Sequence, residues 1–268
     1  TFIKKGHVNF SDEVPLGTAL ARVLNTPTPA NNDIQLYGVD VAEVRRIIER
    51  IPEDGYLNPT DTRQLLKAAN IPLVEEFVSA DKEELLRFAN EVRYPVVAKV
   101  VGPLHKSDMG GVALNIKSDK HLLLEYERMM QLPGVKAIMI QPMLKGTELF
   151  LGAKYEEKFG HIVFCGLGGI FVEILKDVSY GLAPLSYDET FSMIHSLRGY
   201  PIIKGARGQK GIDEQSYAHM IVRLSTLLRF AKEIKEMDIN PLIADSRGIF
   251  AVDARIRIEK QAVSDKDH

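Results

Sequence analysis

Apolar residues recur at helical spacing along some stretches of the chain and alternate or run together in others, and these two periods predict its elements. Val44, Ile47, Ile48 and Ile51 form one stripe over 41–51, closed by Pro52. Leu65, Leu66, Ala68 and Ala69 supply a second stripe over 60–69, which Asn70 can end. Asp81 and Glu84 stand at capping-box spacing ahead of Leu85, Phe88, Ala89 and Val92, and Pro95 stops that helix. The unbroken run Val96–Val101 reads as a buried strand. Val112, Leu114 and Ile116 alternate as another, before Ser118 caps a helix over 119–130. Strands follow at 136–141, 148–154 and 161–165, then a short helix at 188–198. A long helix is predicted over 216–235, with Met220, Leu224, Leu227, Ala231 and Ile234 in register. Two last strands, near 236–244 and 249–254, flank a turn at Asp245–Gly248. Residues 1–39 are poorly periodic, and Asn25–Asp33, with two prolines, reads as a linker or surface loop.

Helices and strands are interspersed without a clean β-α repeat, and several strands are consecutive. That order predicts an α+β protein with antiparallel pairing. The 34 Lys and Arg against 36 Asp and Glu give a net charge of −2, which offers no electrostatic case for nucleic acid. No run of 18 apolar residues is present, so no membrane span is expected. One cysteine allows no internal disulfide and fits a reducing, cytoplasmic setting. The opening residues lack the apolar stretch of a signal peptide, and a start at Thr1 reads as a chain processed, trimmed or unobserved before that point.

Several residues have chemical and bland readings side by side. Lys99 interrupts an apolar strand: it either snorkels at the strand edge or holds a rigid cation toward an anion such as phosphate. Gly102–Gly111 is a polar, glycine-containing turn, either a surface hairpin or a phosphate-facing loop; it is neither a P-loop nor a dinucleotide fingerprint. Within it, His105 is a solvated loop imidazole or a phosphoryl acceptor. Gly166–Gly169 is a β-turn or a close approach to a ligand. Glu173, Lys176 and Asp177 after it suit an ion-pair network or ligand contact. Asn240 and Asp253 lie on the two last predicted strands and can face one point across the hairpin. An amide oxygen and a carboxylate suit Mg²⁺, though both residue types also cap and turn strands. Soft-metal patterns are absent, and Cys165, ending an apolar strand, reads as a buried structural thiol. Met129, Met130, Met139 and Met143 read most simply as core residues.

The chain from Asn58 to Arg257 resembles the ATP-grasp (beta) part of the NDP-forming acyl-CoA synthetases. The ADP-forming acetyl-CoA synthetases are the nearer relatives, and the succinyl-CoA synthetase beta subunit is a more distant one. The segments that carry the resemblance are Tyr94–Lys99, Leu104–Val112, Gly166–Asp177, Leu197–Pro201, Met237–Leu242 and Ala251–Ile256, in this order. The resemblance implies an ATP-grasp fold of two α+β subdomains with the nucleotide site between them. It implies that Lys99 meets the nucleotide phosphates, that Gln141 to Met143 meet the adenine edge and that Glu148 lies near the ribose. Asn240 and Asp253 would hold Mg²⁺, with Asp238 as a supporting carboxylate. His105 would be the phosphohistidine, with Gly110 and Gly111 giving its loop freedom and Asp108 a candidate to fix its tautomer. Gly168 and Gly169 would wall the phosphates, and Arg207 would contact one.

The cofactors implied are ATP or ADP with Mg²⁺, and CoA only through an alpha-type CoA-binding subunit or domain, for which no glycine fingerprint or second histidine segment is found here. The expected organisation is a linker or domain tail over 1–40, N-terminal helices with the smaller subdomain over 41–142, the larger subdomain with the metal site over 143–260, and a frayed tail over 261–268. Three rival readings remain open at this stage. They are a regulatory ATP-grasp module of a lysine acetyltransferase, an ATP-grasp carboxylate ligase without a histidine carrier, and an interaction protein of the same fold class.

Overall fold

A computed structural model describes residues 10, 12–24, 38–102, 110–169, 172, 176–205 and 210–260. The chain divides into two units, Thr1–Asp33 and Ile34–His268. The first contains helix α1 (Glu13–Leu24), none of whose residues is buried. The reading of 1–40 as linker or tail did not anticipate a helix there. The proposed loop at Asn25–Asp33 and the frayed tail at 261–268 lie outside the described residues.

The second unit holds two antiparallel sheets. The smaller has the order β2 (Phe77–Ser79), β5 (Ala137–Pro142), β3 (Val96–Val101), β4 (Val112–Ile116). Helices α4 (Lys82–Val92) and α5 (Asp119–Met130) pack on it, burying Leu85, Ala89, Leu122 and Met129 with Val96, Ala98, Val100, Ile138 and Ile140. Both helices start where the sequence provides an acceptor for their free N–H groups: Asp81 accepts from Glu84 and Ser118 from His121.

The larger sheet runs β1 (Gly55–Tyr56), β11 (Ala254–Ile258), β9 (Ile234–Asp245), β6 (Thr147–Glu156), β7 (Gly160–Leu167), β8 (Val178–Leu182), with β10 (Gly248–Ala251) also paired to β9. Its core takes in α2 (Val41–Arg50), α3 (Pro59–Ala68), α6 (Tyr187–His195), α7 (Tyr200–Lys204) and α8 (Glu214–Phe230). Helices α2 and α3 therefore join the larger sheet although they precede the smaller one in sequence. Strand alternation decides what is left for chemistry: Met237 and Ile239 of β9 are buried, while Glu236, Asp238 and Asn240 lie on the opposite face.

Several details differ from the sequence reading. Helix α8 ends at Phe230, and Ile234 already belongs to β9. Ala231 and Ile234 are fully buried because the strand re-enters the same core, and their spacing mimicked a helical stripe. Strand β11 at 254–258 extends beyond the last strand expected, so Asp253 lies on the link between β10 and β11. Strands β1, β2 and β8 and helix α7 were not anticipated, being short elements with little periodicity to read. Among the described residues no helix is long and apolar enough to cross a membrane.

Tyr217 fastens the strands that carry the glycine turn. Its ring is fully buried, and its hydroxyl donates to the Phe150 carbonyl at 2.6 Å and accepts from the Gly166 N–H at 3.1 Å. Burial pushes the phenol pKa well up, so the hydroxyl keeps its proton. Tyr217→Phe removes only that oxygen and leaves buried backbone groups without their partner. We expect a loss of about 1–3 kcal/mol in urea-unfolding stability; an unchanged midpoint would show that the hydroxyl carries no such burden.

Candidate functional site

Four of the site residues that the sequence singles out, Lys99, Gln141, Asn240 and Asp253, meet at one short link, Val252–Asp253. The link passes β9 where the ladder changes partner. On one side β11 pairs with β9 up to Ala254 opposite Ile239, and on the other β10 pairs from Ala251 opposite Leu242. Between them the Asn240 N–H donates to the Asp253 carbonyl at 3.2 Å, and the Val252 N–H to the Pro241 carbonyl at 3.1 Å. On the far edge of β9 the register to β6 also shifts: Leu149 faces Leu242 and Leu151 faces Ile239, so Asn240 and Pro241 share the place opposite Phe150. Such a bulge re-aims side chains at the strand surface.

The smaller sheet reaches the same link. Lys99, half-buried on β3, points its Nζ at the Val252 carbonyl, 3.4 Å away. Gln141, buried on β5, donates from Nε2 to the same carbonyl at 3.3 Å and to Glu76 Oε2 at 2.9 Å. Met143 follows β5 and donates its N–H to the Pro95 carbonyl at 3.0 Å.

Asn240 continues the site toward the glycine turn. A Cβ on Gly168 would stand 3.3 Å from Asn240 Oδ1 and 3.0 Å from the Leu149 carbonyl, so the absence of a side chain lets the turn lie against the amide. The Gly168 N–H donates to the Glu148 carbonyl at 2.8 Å. Gly169 has a φ of 57°, and a Cβ there would collide with the exposed Glu148 carboxylate. Lys99, Gln141, Asn240, Asp253, Gly168, Gly169 and Glu148 thus form one connected neighbourhood.

Asp238 sits two residues before Asn240 on the same strand face, with Gly152 and Arg255 as its cross-strand partners. Its Oδ1 is buried with no hydrogen-bond partner; among the described residues only Gln141 Oε1 shares that condition. Burial pushes the Asp238 pKa up. Arg255 opposes the shift, and the carboxylates of Asp253 and Glu236 reinforce it. Asp253 is exposed, and its Oδ1 accepts from the Ala254 N–H at 3.0 Å. An orphaned carboxylate oxygen beside an amide oxygen and a second carboxylate is an all-oxygen donor set, which fits Mg²⁺ and not a soft metal. Among the described residues no three His, Cys, Asp or Glu side chains form a ready-made metal cage. Mg²⁺ commonly needs only one or two carboxylates, with phosphate oxygens completing its shell.

Gly111 is placed by the ladder, its carbonyl accepting from the Val100 N–H at 2.9 Å, and the Gly110 carbonyl accepts from Arg128 Nη1 at 2.9 Å. His105, Asp108, Glu173 and Arg207 lie outside the described residues. Asp177, whose role the sequence left open, is buried and accepts from the backbone N–H groups of Arg198 (2.9 Å) and Gly199 (2.7 Å). It therefore ties together two of the segments on which the resemblance rested. Glu76 and Arg255 are contacts that sequence reasoning missed, since a lone charge in a short connection or on a strand carries no spacing signal. Cys165 is fully buried, and burial pushes its thiol up to about 12, so it is no nucleophile.

A family model described as an ATP-grasp domain matches residues 50–258. The chain belongs to the ATP-grasp family. Within that family it groups with the beta subunits of ADP-forming acyl-CoA synthetases. It is 40% identical over 229 residues to the beta subunit of acetate–CoA ligase (ADP-forming) I from Pyrococcus furiosus, a match that covers 81% of this chain and 98% of that one. Among solved structures, PH1788 from Pyrococcus horikoshii Ot3 aligns with a TM-score of 0.72 at 34% identity, over 82% of this chain and 99% of that chain. The dinucleotide-forming acetyl-coenzyme A synthetase 1 of Ca. Korarchaeum cryptofilum aligns at 0.69 and 32% identity, over 82% and 100%. That structure holds coenzyme A and Mg-AMPPCP, with its phosphohistidine segment pointing toward the nucleotide-binding site. The α+β ATP-grasp architecture expected from the sequence is the one found.

The raised pKa of Asp238 makes a signed prediction. A carboxyl whose folded pKa lies above its unfolded value favours the folded state at low pH, and that benefit is lost as pH rises through the folded pKa. Asp238→Asn should therefore gain melting temperature relative to wild type on going from pH 4 to pH 7.5. A difference between the two proteins that stays flat with pH would contradict the burial argument.

Proposed function

We propose that this chain is the nucleotide-handling beta part of an ADP-forming acyl-CoA synthetase, a ligase component that exchanges a phosphoryl group between His105 and ADP or ATP. The observation that carries the reading is the meeting of Lys99, from one sheet, with Asn240 and Asp253, from the other, at the Val252–Asp253 link. That arrangement gives the phosphates of a nucleotide a cation on one side and hard oxygen ligands on the other. Similarity to the beta subunit named above supports the same reading.

In the ATP-consuming direction, a neutral nitrogen of His105 attacks the γ-phosphorus. The bond from phosphorus to the bridging oxygen breaks, ADP leaves with that electron pair, and the ring gives up one proton to solvent. Lys99 offsets charge on the phosphate oxygens as it shifts during transfer. Asn240 and Asp253, with Asp238 behind them, would hold Mg²⁺, which when bound neutralises phosphate charge and orients the chain of oxygens. Gln141 and Met143 are proposed to lie at the adenine edge, Glu148 at the ribose, and Gly168, Gly169 and Arg207 at the phosphates. Gly110 and Gly111 would let the His105 segment turn.

The full reaction, acyl-CoA + ADP + Pi giving carboxylic acid + CoA + ATP, requires CoA and acyl-phosphate steps. We assign these to an alpha-type CoA-binding subunit or domain, in keeping with the subunit name of the relative. A smaller subdomain ending near 142, a larger one over 143–260 to which the N-terminal helices α2 and α3 are added, and a cytoplasmic location belong to the same proposal.

The test is incubation with γ-labelled ATP and Mg²⁺. The expected result is an acid-labile, base-stable label on the wild-type chain that His105→Ala abolishes and Lys99→Met slows by about a hundredfold or more. Nucleotide binding without label would instead indicate a regulatory ATP-grasp module or a ligase that phosphorylates its substrate directly. Absence of any Mg-dependent affinity for ATP or ADP would leave only an interaction protein.

A further inference from the structure

The link that joins Lys99 to Asp253 is held from one side, through Gln141, by a residue outside the short segments that carry the resemblance. Glu76 lies in the connection between α3 and β2, and its side chain is only 12% exposed. Its Oε2 accepts from Gln141 Nε2 at 2.9 Å and from Arg63 Nη1 of α3 at 2.8 Å. Arg63 is itself anchored, donating from Nη2 to the Val74 carbonyl at 3.1 Å. The connection is sewn to the larger sheet by the Val74 N–H on the Ala251 carbonyl (3.0 Å) and the Ala251 N–H on the Pro72 carbonyl (2.9 Å). The carboxylate is therefore neutralised, and it stands on a rigid base one residue away from the Val252–Asp253 link.

What this carboxylate does is set the direction of an amide. Gln141 Nε2 touches two acceptors, Glu76 Oε2 and the Val252 carbonyl, so rotating the amide by half a turn would bring Oε1 against both. The orientation is forced, and its consequence is visible: Gln141 Oε1 is left buried without a partner. A buried orphan acceptor is a standing cost in the folded protein and calls for a physical reason. The reason on this geometry is that the amide nitrogen is needed on Val252, whose carbonyl Lys99 also approaches and whose neighbour is Asp253. With Asn240 and Pro241 holding the other side of the link, Gln141 and Lys99 on the Val252 carbonyl complete a clamp of four contacts.

We propose that Glu76 is a positioning residue for the Mg-nucleotide site, acting through Gln141 and the Val252 carbonyl on the spacing between Lys99 and Asp253. The inference rests on the function proposed above and adds a residue to it. Glu76 touches neither phosphate nor metal. Its removal frees the Gln141 amide to turn, loosens the Val252 carbonyl and lets the lysine and the metal carboxylate drift apart.

Calorimetric titration of the full chain with ADP, with and without Mg²⁺, tests this. Glu76→Gln should weaken binding of Mg·ADP by about tenfold or more, the size typical of lost outer-shell support at a metal site, while ADP without Mg²⁺ loses much less. Glu76→Asp, which keeps the charge and one acceptor, should recover part of the Mg-dependent gain. Should Glu76→Gln fail to fold, Glu76→Asp and Gln141→Leu are read by the same ratio. An Mg-dependent gain equal to that of wild type in these variants would overturn the role given to Glu76. So would an equal loss with and without the metal, which marks general loosening. A wild-type chain that does not bind Mg·ADP at all would instead sink the function itself.

Discussion

Pro241 has no N–H to give to a ladder, and much of the site is arranged around that gap. Strand β9 is twelve residues long and pairs with β6 along one edge. On the other edge it pairs with β11 and then with β10, and the exchange happens at Asn240–Pro241. Only there does the neighbouring chain leave strand geometry, and the two residues that do so are Val252 and Asp253. The backbone of Asn240 and the carbonyl of Pro241 capture them. Without that interruption β10 and β11 would be one strand, and Asp253 would be an ordinary ladder residue and not part of a link held by the Asn240 N–H.

Burial tunes the surroundings of this gap. Asp238 is kept partly out of water with two carboxylates near it and one guanidinium opposed to them, so its charge is poorly compensated in the protein alone. Lys99 faces a carbonyl oxygen at 3.4 Å, a long contact for an ammonium. A cation from one sheet and hard oxygen ligands from the other, brought to one link, are what a multiply charged phosphate with Mg²⁺ would engage. Asp238 Oδ1 and Gln141 Oε1 are the two buried side-chain polar atoms without a hydrogen-bond partner among the described residues.

The backbone supports of the site come from far along the chain. Tyr217, on α8, bonds the backbone of β6 and β7 just ahead of Gly168. Asp177 accepts two N–H groups from the α6–α7 turn. Glu76 reaches the site through Gln141. None of these contacts follows from local periodicity, because each joins residues separated by twenty to more than a hundred positions. The sequence did signal Asp177 as a charge in an apolar setting, without indicating whether a backbone or a ligand would take it.

The chain's own pattern determined the helices α2 to α5 and the strands β3 to β7, because each has a stripe or alternation complete within itself, with a cap or proline at its end. The ordered segments between Asn58 and Arg257 likewise carried the family and the residues to look at. The tertiary structure alone decided which sheet α2 and α3 would join, where α8 would yield to β9, and that Asp253 would stand on a link and not a strand. The physical reason is the same in each case. Burial makes Ala231 and Ile234 apolar whether the backbone is helix or strand, and pairing partners are chosen by contacts between distant segments, which local spacing does not record.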